Sequence, residues 1–276
     1  MIKFVADSAC DLKDYPGICF ETVPLSISTD ERNYTDDDSL DVHEVLDYLE
    51  GYNNRSYTAC PSIDAWLKAF EGADEIYAVT ITSGLSGTYS GANVAKDIYL
   101  SEHPEAKIYV VDSLSTGPGM VLILEKLAEL KNQGKSFEEV CSAIEKYRKR
   151  LKLYFSLSSL HNLAQNGRVS KIIASAIGFM NIKILGTASK TGTIEQVAKC
   201  RGTKKMIDRI ISELKENGFT RGKIRICHVE CLEFANAVAE KIRSIFNVSD
   251  IKIVPARGLC SYYAERGGII LGCELA

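Results

Sequence analysis

Three short apolar runs dominate the first half of the chain, and none of them alternates with polar residues. They read IKFVA (2–6), IYAVTI (76–81) and KIYVV (107–111), and each is followed by Ser with Asp, Thr or Gly. Unalternated runs rich in β-branched residues are typical of strands buried on both faces. The second and third runs lead into helical patterns. We therefore predict an α/β fold with a parallel sheet, whose ligands bind outside the carboxyl ends of the strands.

The pattern is less regular between the first two runs. The segment VPLSISTDERNYTDDDS predicts a strand, a polar turn and a second short strand. The next segment, LDVHEVLDYLEG, places its apolar residues on one face of a helix. Pro61 and Ser62 then indicate the start of another helix.

The character of the chain changes near Leu151. KLYFSLS predicts a strand, SLHNLAQNG a helix that ends at a glycine, and SKIIASAIGFMN a mostly apolar helix. Four further runs, IKILGTAS, KTGTIEQVAKC, KIRICHV and IKIVPAR, predict a second sheet covered by two helices. We expect two α/β domains, 1–150 with the parallel sheet and 151–276 with a mixed sheet. No low-complexity linker separates them, so they should pack closely.

Composition excludes several classes of protein. The 276 residues carry a net charge of −3 with both signs interspersed, so we expect no nucleic-acid partner. No apolar stretch approaches the ~18 residues that a membrane span requires, and the first residues lack the apolar region of a secretory signal. We expect a cytoplasmic protein. The nine cysteines include no C-x-x-C pair. The closest two, Cys227 and Cys231, lack a second ligand pair, so we predict buried thiols rather than a metal site.

The stretch TSGLSGTYSGA, residues 82–92, places hydroxyls and glycines directly after a predicted strand. Ser86 falls at the expected N-cap of the following helix, with Gly87 and Thr88 in the first turn. The free amides of a first turn lie at the positive end of the helix dipole and can bind an anion. A capped helix after an ordinary glycine turn explains the same residues equally well.

Two catalytic interpretations fit this stretch poorly. A nucleophile elbow requires G-x-S-x-G, but Thr88 stands where the last glycine should be. None of the four histidines follows an obvious acid partner. A Walker A loop also fails, because no lysine follows the glycines. We predict no catalytic residue and no cofactor, and keep a serine acyl hydrolase and a small-anion regulatory subunit as alternatives.

Several motifs together resemble the DegV family. They are FVADSACDL, YTACPS, TSGLSGTYSGA, VVDSLSTGPG, SSLHNLAQNGRVS, IKIL and KCRGTKK, in the family's order and approximate spacing. The resemblance implies a two-domain α/β fold that holds one long-chain fatty acid between the domains, with the carboxylate on hydroxyl groups. It also implies a carrier that can present the acid to a separate ATP-binding fatty acid kinase subunit.

The family's site residues transfer onto this sequence position by position. The matching hydroxyl and glycine positions, together with the residue in place of a family histidine, predict the ligand-binding set Thr58, Ser83, Ser86, Gly87, Thr88 and Tyr263. Ser86 is the strongest candidate for direct contact. Tyr263 replaces the histidine, so it can donate a hydrogen bond but carries no positive charge. An interface tyrosine with a satisfied hydroxyl is the alternative.

Basic positions suggest where a partner binds. Arg168, in NGRVS, matches the family's arginine, and Arg201 lies in KCRGTKK. The resemblance implies that both dock the kinase subunit. For Lys171, Lys204 and Lys205 a solvated basic face is the simpler interpretation. The apolar segment IIASAIGFMNIKIL is a candidate wall for the acyl tail, although plain core explains it as well.

Overall fold

A computed structural model describes residues 1–169 and 181–275. The predicted helix SKIIASAIGFMN, Lys171 and most of the candidate tail wall lie outside the described residues. The strands are β1 Ile2–Asp7, β2 Phe20–Val23, β3 Ser26–Ser28, β4 Asn33–Thr35, β5 Tyr57–Ala59, β6 Glu75–Thr80, β7 Lys107–Asp112, β8 Leu151–Leu157, β9 Ile182–Ala188, β10 Ile194–Arg201, β11 Ile224–His228, β12 Ile251–Pro255 and β13 Ile269–Glu274. The helices are α1 Val42–Glu50, α2 Ile63–Phe70, α3 Thr88–Glu102, α4 Pro118–Asn132, α5 Phe137–Arg148, α6 His161–Gln165, α7 Thr203–Glu216, α8 Leu232–Phe246 and α9 Gly258–Ala264.

The three apolar runs form a parallel sheet, as predicted. Its order is β2-β1-β6-β7, and every pair in it is parallel. β1 and β6 are buried along almost their whole length because helices cover both faces. The edge strand β2 was not predicted. It has only four residues, three of them partly exposed, so it lacks the apolar run that identifies its neighbours.

The second sheet is mixed and contains six strands in the order β10-β9-β8-β13-β11-β12. The pair β11 and β12 is parallel, and the other four pairs are antiparallel. The strands predicted after Leu151 are all present. β13 was not predicted as a strand, yet it lies between β8 and β11 near the centre of the sheet. Helices α7 and α8 pack on the face of this sheet that points away from the N-terminal half.

A small antiparallel sheet, in the order β4-β3-β5, includes the strand–turn–strand predicted near the N-terminus. Together with α1 it packs on α9, which comes more than 200 residues later in the chain. Ile27, Val45 and Tyr262 form the core of this contact. The small sheet and α1 therefore form one packed unit with α9, although they come much earlier in the chain.

The two larger sheets belong to different halves of the chain. α5 ends at Arg148, and β8 begins at Leu151 in the mixed sheet. The packing of α1 and the small sheet on α9 crosses this point, so a domain boundary at residue 150 remains a prediction. Within the described residues, no helix is long and apolar enough to cross a membrane.

Candidate functional site

A cavity lies between the loops that follow the parallel strands and one face of the mixed sheet. It encloses about 830 Å³ of empty space, including some that is open to solvent. Its position agrees with the predicted cleft, because the carboxyl ends of β6 and β7 face it through Ile81, Leu114 and their neighbours.

Most of the cavity wall is apolar. Leu153, Phe155 and Leu157 alternate along β8, so all three face the cavity. Ile270 of β13 and Leu259 of α9 extend the same surface. An aqueous ion would gain nothing from such a wall, whereas a hydrocarbon chain buried there gains about 0.8 kcal/mol per CH₂ group.

A polar region of the wall contains Thr58, Ser86, Arg168 and Tyr263. The Thr58 and Tyr263 hydroxyl oxygens lie 2.7 Å apart, so β5 and α9 meet through this hydrogen bond. Burial raises the pKa of Tyr263, and the nearby Arg168 charge opposes it only in part. The Tyr263 hydroxyl therefore stays protonated at neutral pH and is able to donate a hydrogen bond.

The neighbouring tyrosine fixes this arrangement. The hydroxyl of Tyr262 lies 2.7 Å from Ser56 Oγ and accepts a hydrogen bond of 2.9 Å from Asn166 Nδ2. Ser56 directly precedes β5 and Thr58 lies within it, so consecutive tyrosines of α9 hold two residues that are two positions apart in the chain. The hydrogen bonds of Tyr262, which does not line the cavity, thus help to fix the position of the Thr58 hydroxyl.

The loop of residues 82–88 differs in one detail from the prediction. α3 begins at Thr88, and Gly87 rather than Ser86 is its N-cap, without a side-chain capping bond. Gly87 is the N-cap, with dihedral angles in the helical region (φ −77°, ψ 0°), so Ser86 lies one residue before the N-cap position. Its Oγ accepts only a long hydrogen bond of 3.4 Å from the Thr88 amide and lies 2.8 Å from Thr88 Oγ1.

The other predicted ligands in this loop lie outside the cavity wall. Ser83 is exposed, and its hydroxyl and amide both donate to the carboxylate of Asp112, at 2.5 and 3.0 Å. Thr88 is buried behind Ser86, and Gly87 is exposed next to Cys60. Direct ligand contact by these three residues remains a prediction. In the structure they support Ser86 or the loop rather than line the cavity.

The two predicted docking arginines occupy different places. Arg168 lines the cavity, and its Nε donates a hydrogen bond of 3.2 Å to the carbonyl of Leu85, in the 82–88 loop. Arg168 directly follows Gly167, whose positive φ of +74° ends the turn after α6. Arg201 is exposed at the end of β10 and does not line the cavity. A docking role remains a prediction for both, but Arg168 also brings a positive charge to the cavity wall.

Two buried carboxylates hold α9 in place, and sequence reasoning missed both. Asp11 Oδ1 accepts from the Arg257 amide at 2.8 Å, and Asp36 accepts from Gly258 and Leu259 at 3.0 and 2.9 Å. They satisfy the free amides at the start of α9, which has no capping side chain of its own. Burial raises the pKa of Asp11 to about 7 and also raises that of Asp36. The only hint in the sequence was the polar turn TDDDS.

The closest cysteine pair has no metal-binding geometry. Cys227 is buried at β11, where desolvation raises the pKa of its thiol well above the usual value. Cys231 instead donates a hydrogen bond of 3.3 Å to the Gly268 carbonyl. Among residues 1–169 and 181–275 there is no group of three His, Cys, Asp or Glu side chains arranged to hold a metal ion.

Comparison with known proteins gives matches over the whole chain. The model of the DegV family matches residues 1–272. A DegV domain-containing protein of Streptococcus pneumoniae is 43% identical over 277 residues, which cover 99% of each chain.

Solved structures give the same result. A DegV family protein from Eubacterium eligens, loaded with heptadecanoic acid, is 52% identical over 100% of both chains, with a TM-score of 0.99. The Fatty Acid Kinase B3 protein of Streptococcus pneumoniae, loaded with linoleic acid, is 43% identical with a TM-score of 0.97. That match covers 100% of this chain and 99% of the other.

Proposed function

Because the chain belongs to the DegV family, we propose that it binds one long-chain fatty acid in the cavity between its two larger sheets. The observation that carries this proposal is a mostly apolar cavity with one polar region, where Thr58 and Tyr263 share a hydrogen bond beside Ser86 and Arg168. The tail lies against β8 and β13, and the carboxylate lies in the polar region. The similarity to structures that hold heptadecanoic and linoleic acid supports the same ligand class.

The polar region has the donors that a carboxylate needs. In the Thr58–Tyr263 bond one hydroxyl donates, and the other keeps its hydrogen for the ligand. Ser86 adds a second hydroxyl. Arg168 supplies the positive charge that Tyr263 lacks, and a charge-assisted hydrogen bond is about twice as strong as a neutral one. The carboxylate is therefore bound as an anion, without a histidine.

Mass spectrometry of the denatured protein tests the ligand. Protein expressed in bacteria should release one fatty acid per chain, and delipidated protein should take up added acid. The double variant Thr58→Ala/Ser86→Ala should bind less acid, whereas Ser90→Ala, which removes an exposed hydroxyl of α3, should bind as much as wild type. The proposal is wrong if wild-type protein neither carries nor takes up a fatty acid.

We propose a carrier rather than a serine hydrolase. Among the described residues, the partners of Ser86 Oγ are Thr88, at 2.8 Å, and the thiol of Cys60, at 3.3 Å, and neither is a general base. Ester hydrolysis that disappears in Ser86→Ala would favour the hydrolase instead. A regulatory subunit for a small anion fits less well, because such a ligand leaves the apolar wall empty.

We also propose that the chain presents its acid to a fatty acid kinase. Its similarity to the Fatty Acid Kinase B3 protein supports this role. In that reaction the carboxylate attacks the γ-phosphorus of ATP, and an acyl phosphate and ADP form. Arg201→Glu should slow acyl phosphate formation by an ATP-binding kinase subunit and leave fatty acid affinity unchanged. Lys241→Glu, at an exposed position of α8, is the matched control.

A further inference from the structure

We propose that Gly186 and Phe155 together set the width of the cavity, so that Gly186 favours acids with a large cross-section, above all cis-unsaturated ones. This inference rests on the proposed function, since it takes the ligand to be a fatty acid. Phe155 lies on β8, faces the cavity and pairs directly with Gly186 on β9.

The aromatic ring occupies the space of the missing side chain. A Cβ atom built on Gly186 would lie 2.1 Å from Phe155 Cε2 and 2.3 Å from Cζ. The ring thus lies across the backbone of β9 instead of standing upright in the cavity. The dihedral angle φ of Gly186 is outside the left-handed region, so the backbone itself would accept alanine. Glycine is required here for space.

The ring can move in only one direction. Leu153 and Leu157 stand two residues away on either side along β8, on the same face. Ile270 on β13 is the opposite cross-strand partner of Phe155. A methyl group at position 186 would close the fourth side, and it would also press on the backbone carbonyl oxygen of Glu195, which lies 2.9 Å from the Cβ position. The ring would then stand away from the sheet and narrow the cavity.

The width of the cavity decides which tails fit. A saturated chain is extended and thin, whereas a cis double bond bends the chain and enlarges the cross-section that it needs. An upright phenyl ring therefore excludes the bent chain first. We expect Gly186→Ala to change the choice between acids of equal length and equal head group, which a change in the carboxylate site would not do.

The test compares two C18 acids, oleic and stearic, offered together in excess to delipidated full-length protein. Native mass spectrometry measures the ratio of the two complexes. Gly186→Ala should lower the oleic-to-stearic ratio at least tenfold. Adding Phe155→Leu to this variant should restore the ratio, because the ring is then gone. Gly91→Ala is the control, since a Cβ there meets nothing within 4 Å.

Each outcome decides the inference. A folded Gly186→Ala protein with an unchanged ratio overturns it, and so does a ratio that stays low in the double variant. If Gly186→Ala does not fold, Phe155→Leu alone tests the same point: the ratio should rise at least threefold, and an unchanged ratio contradicts the proposal. Wild-type protein that binds neither acid refutes the proposed function itself.

Discussion

The two walls of the cavity are built from different parts of secondary structure. The wall from the parallel sheet consists of loops at strand ends, with hydroxyls and backbone amides such as those around Ser86. The wall from the mixed sheet consists of the strand face of β8 and β13, with alternating apolar side chains. Loops place polar groups at one point, and a sheet face provides a long apolar surface. An amphipathic ligand needs both.

A buried ion pair joins α4 of the N-terminal half to β11 of the mixed sheet, and breaking it should cause the largest loss of stability. Arg225 of β11 holds Glu125 of α4 through two hydrogen bonds of 2.7 and 2.8 Å, and both side chains are about 5% exposed. Glu125→Ala leaves Nε and Nη2 of the buried Arg225 without their carboxylate partner, whereas Nη1 keeps its ion pair with Asp250. Breaking a buried pair in this way costs up to about 3–5 kcal/mol of unfolding free energy. Urea denaturation measures this loss.

The control for this prediction is an exposed ion pair. Glu138→Ala removes the partner of Lys107 on the surface, where such pairs contribute about 0.2–1 kcal/mol. Equal losses of stability in the Glu125 and Glu138 variants would show that the buried pair does not hold α4 and β11 together.

The carboxylates in the loop wall should make stability depend on pH. Burial raises the pKa of Asp11 from 3.8 to about 7, so the folded protein binds a proton that the unfolded chain has already lost. The stability from this group is complete below pH 4 and is lost as the pH rises to about 7. Each pKa unit corresponds to about 1.4 kcal/mol, so the decline is at most about 4 kcal/mol.

Asp11→Asn should flatten this part of the pH profile. Thermal or urea unfolding between pH 4 and pH 8 measures the slope in both proteins, with the exposed Asp14→Asn as the control. An Asp11→Asn profile parallel to that of wild type would mean that Asp11 is not protonated in the fold.

Among changes to the binding site, removal of the Arg168 charge from the polar region should weaken fatty acid binding most. Arg168→Ala deletes a hydrogen bond to a charged group, which contributes about 1.5–3 kcal/mol, so the Kd for a fatty acid should rise about 10- to 150-fold. Isothermal titration calorimetry measures it. Arg168→Lys should recover part of the affinity because it keeps the charge but loses the planar geometry. A role for Arg168 in partner docking alone would leave Kd unchanged.

Removing the single hydroxyl group of Tyr263 should have the smallest effect on fatty acid binding. Tyr263→Phe removes the partner of Thr58 and should weaken fatty acid binding by about 0.5–1.5 kcal/mol, or roughly two- to tenfold. Thr58→Ser, which keeps the hydroxyl, should bind nearly as well as wild type. Fluorescent fatty acid displacement resolves such differences. Identical affinities for wild type and Tyr263→Phe would place the carboxylate away from α9.

Sequence patterns predicted the parts of the fold that are local. Long apolar runs identified β1, β6 and β7, and Ser62 marked the start of α2 correctly. Short or partly exposed strands such as β2 and β5 lack such a pattern, so they were missed. These strands are defined by their pairing with β1 and β3, which a local sequence pattern does not show.

The candidate site was predictable in part for the same reason. The hydroxyls and glycines around Ser86 identify this loop in the sequence, whereas only the family resemblance predicted Thr58 and Tyr263 as site residues. Asp36 contacts Gly258 across 222 residues, and no local pattern indicates that contact. The sequence around Gly186 does not distinguish it from other glycines in strands. Its contact with the Phe155 ring is visible only in the structure.

A crystal structure of the wild-type protein with its bound acid tests the central claim most directly. We predict a single fatty acid whose carboxylate oxygens lie about 2.6–3.2 Å from donors among Thr58, Ser86, Arg168 and Tyr263. The tail should run over Phe155 and against Ile270. A carboxylate bound elsewhere, or a cavity that remains empty after exposure to saturating oleic acid, would contradict the account.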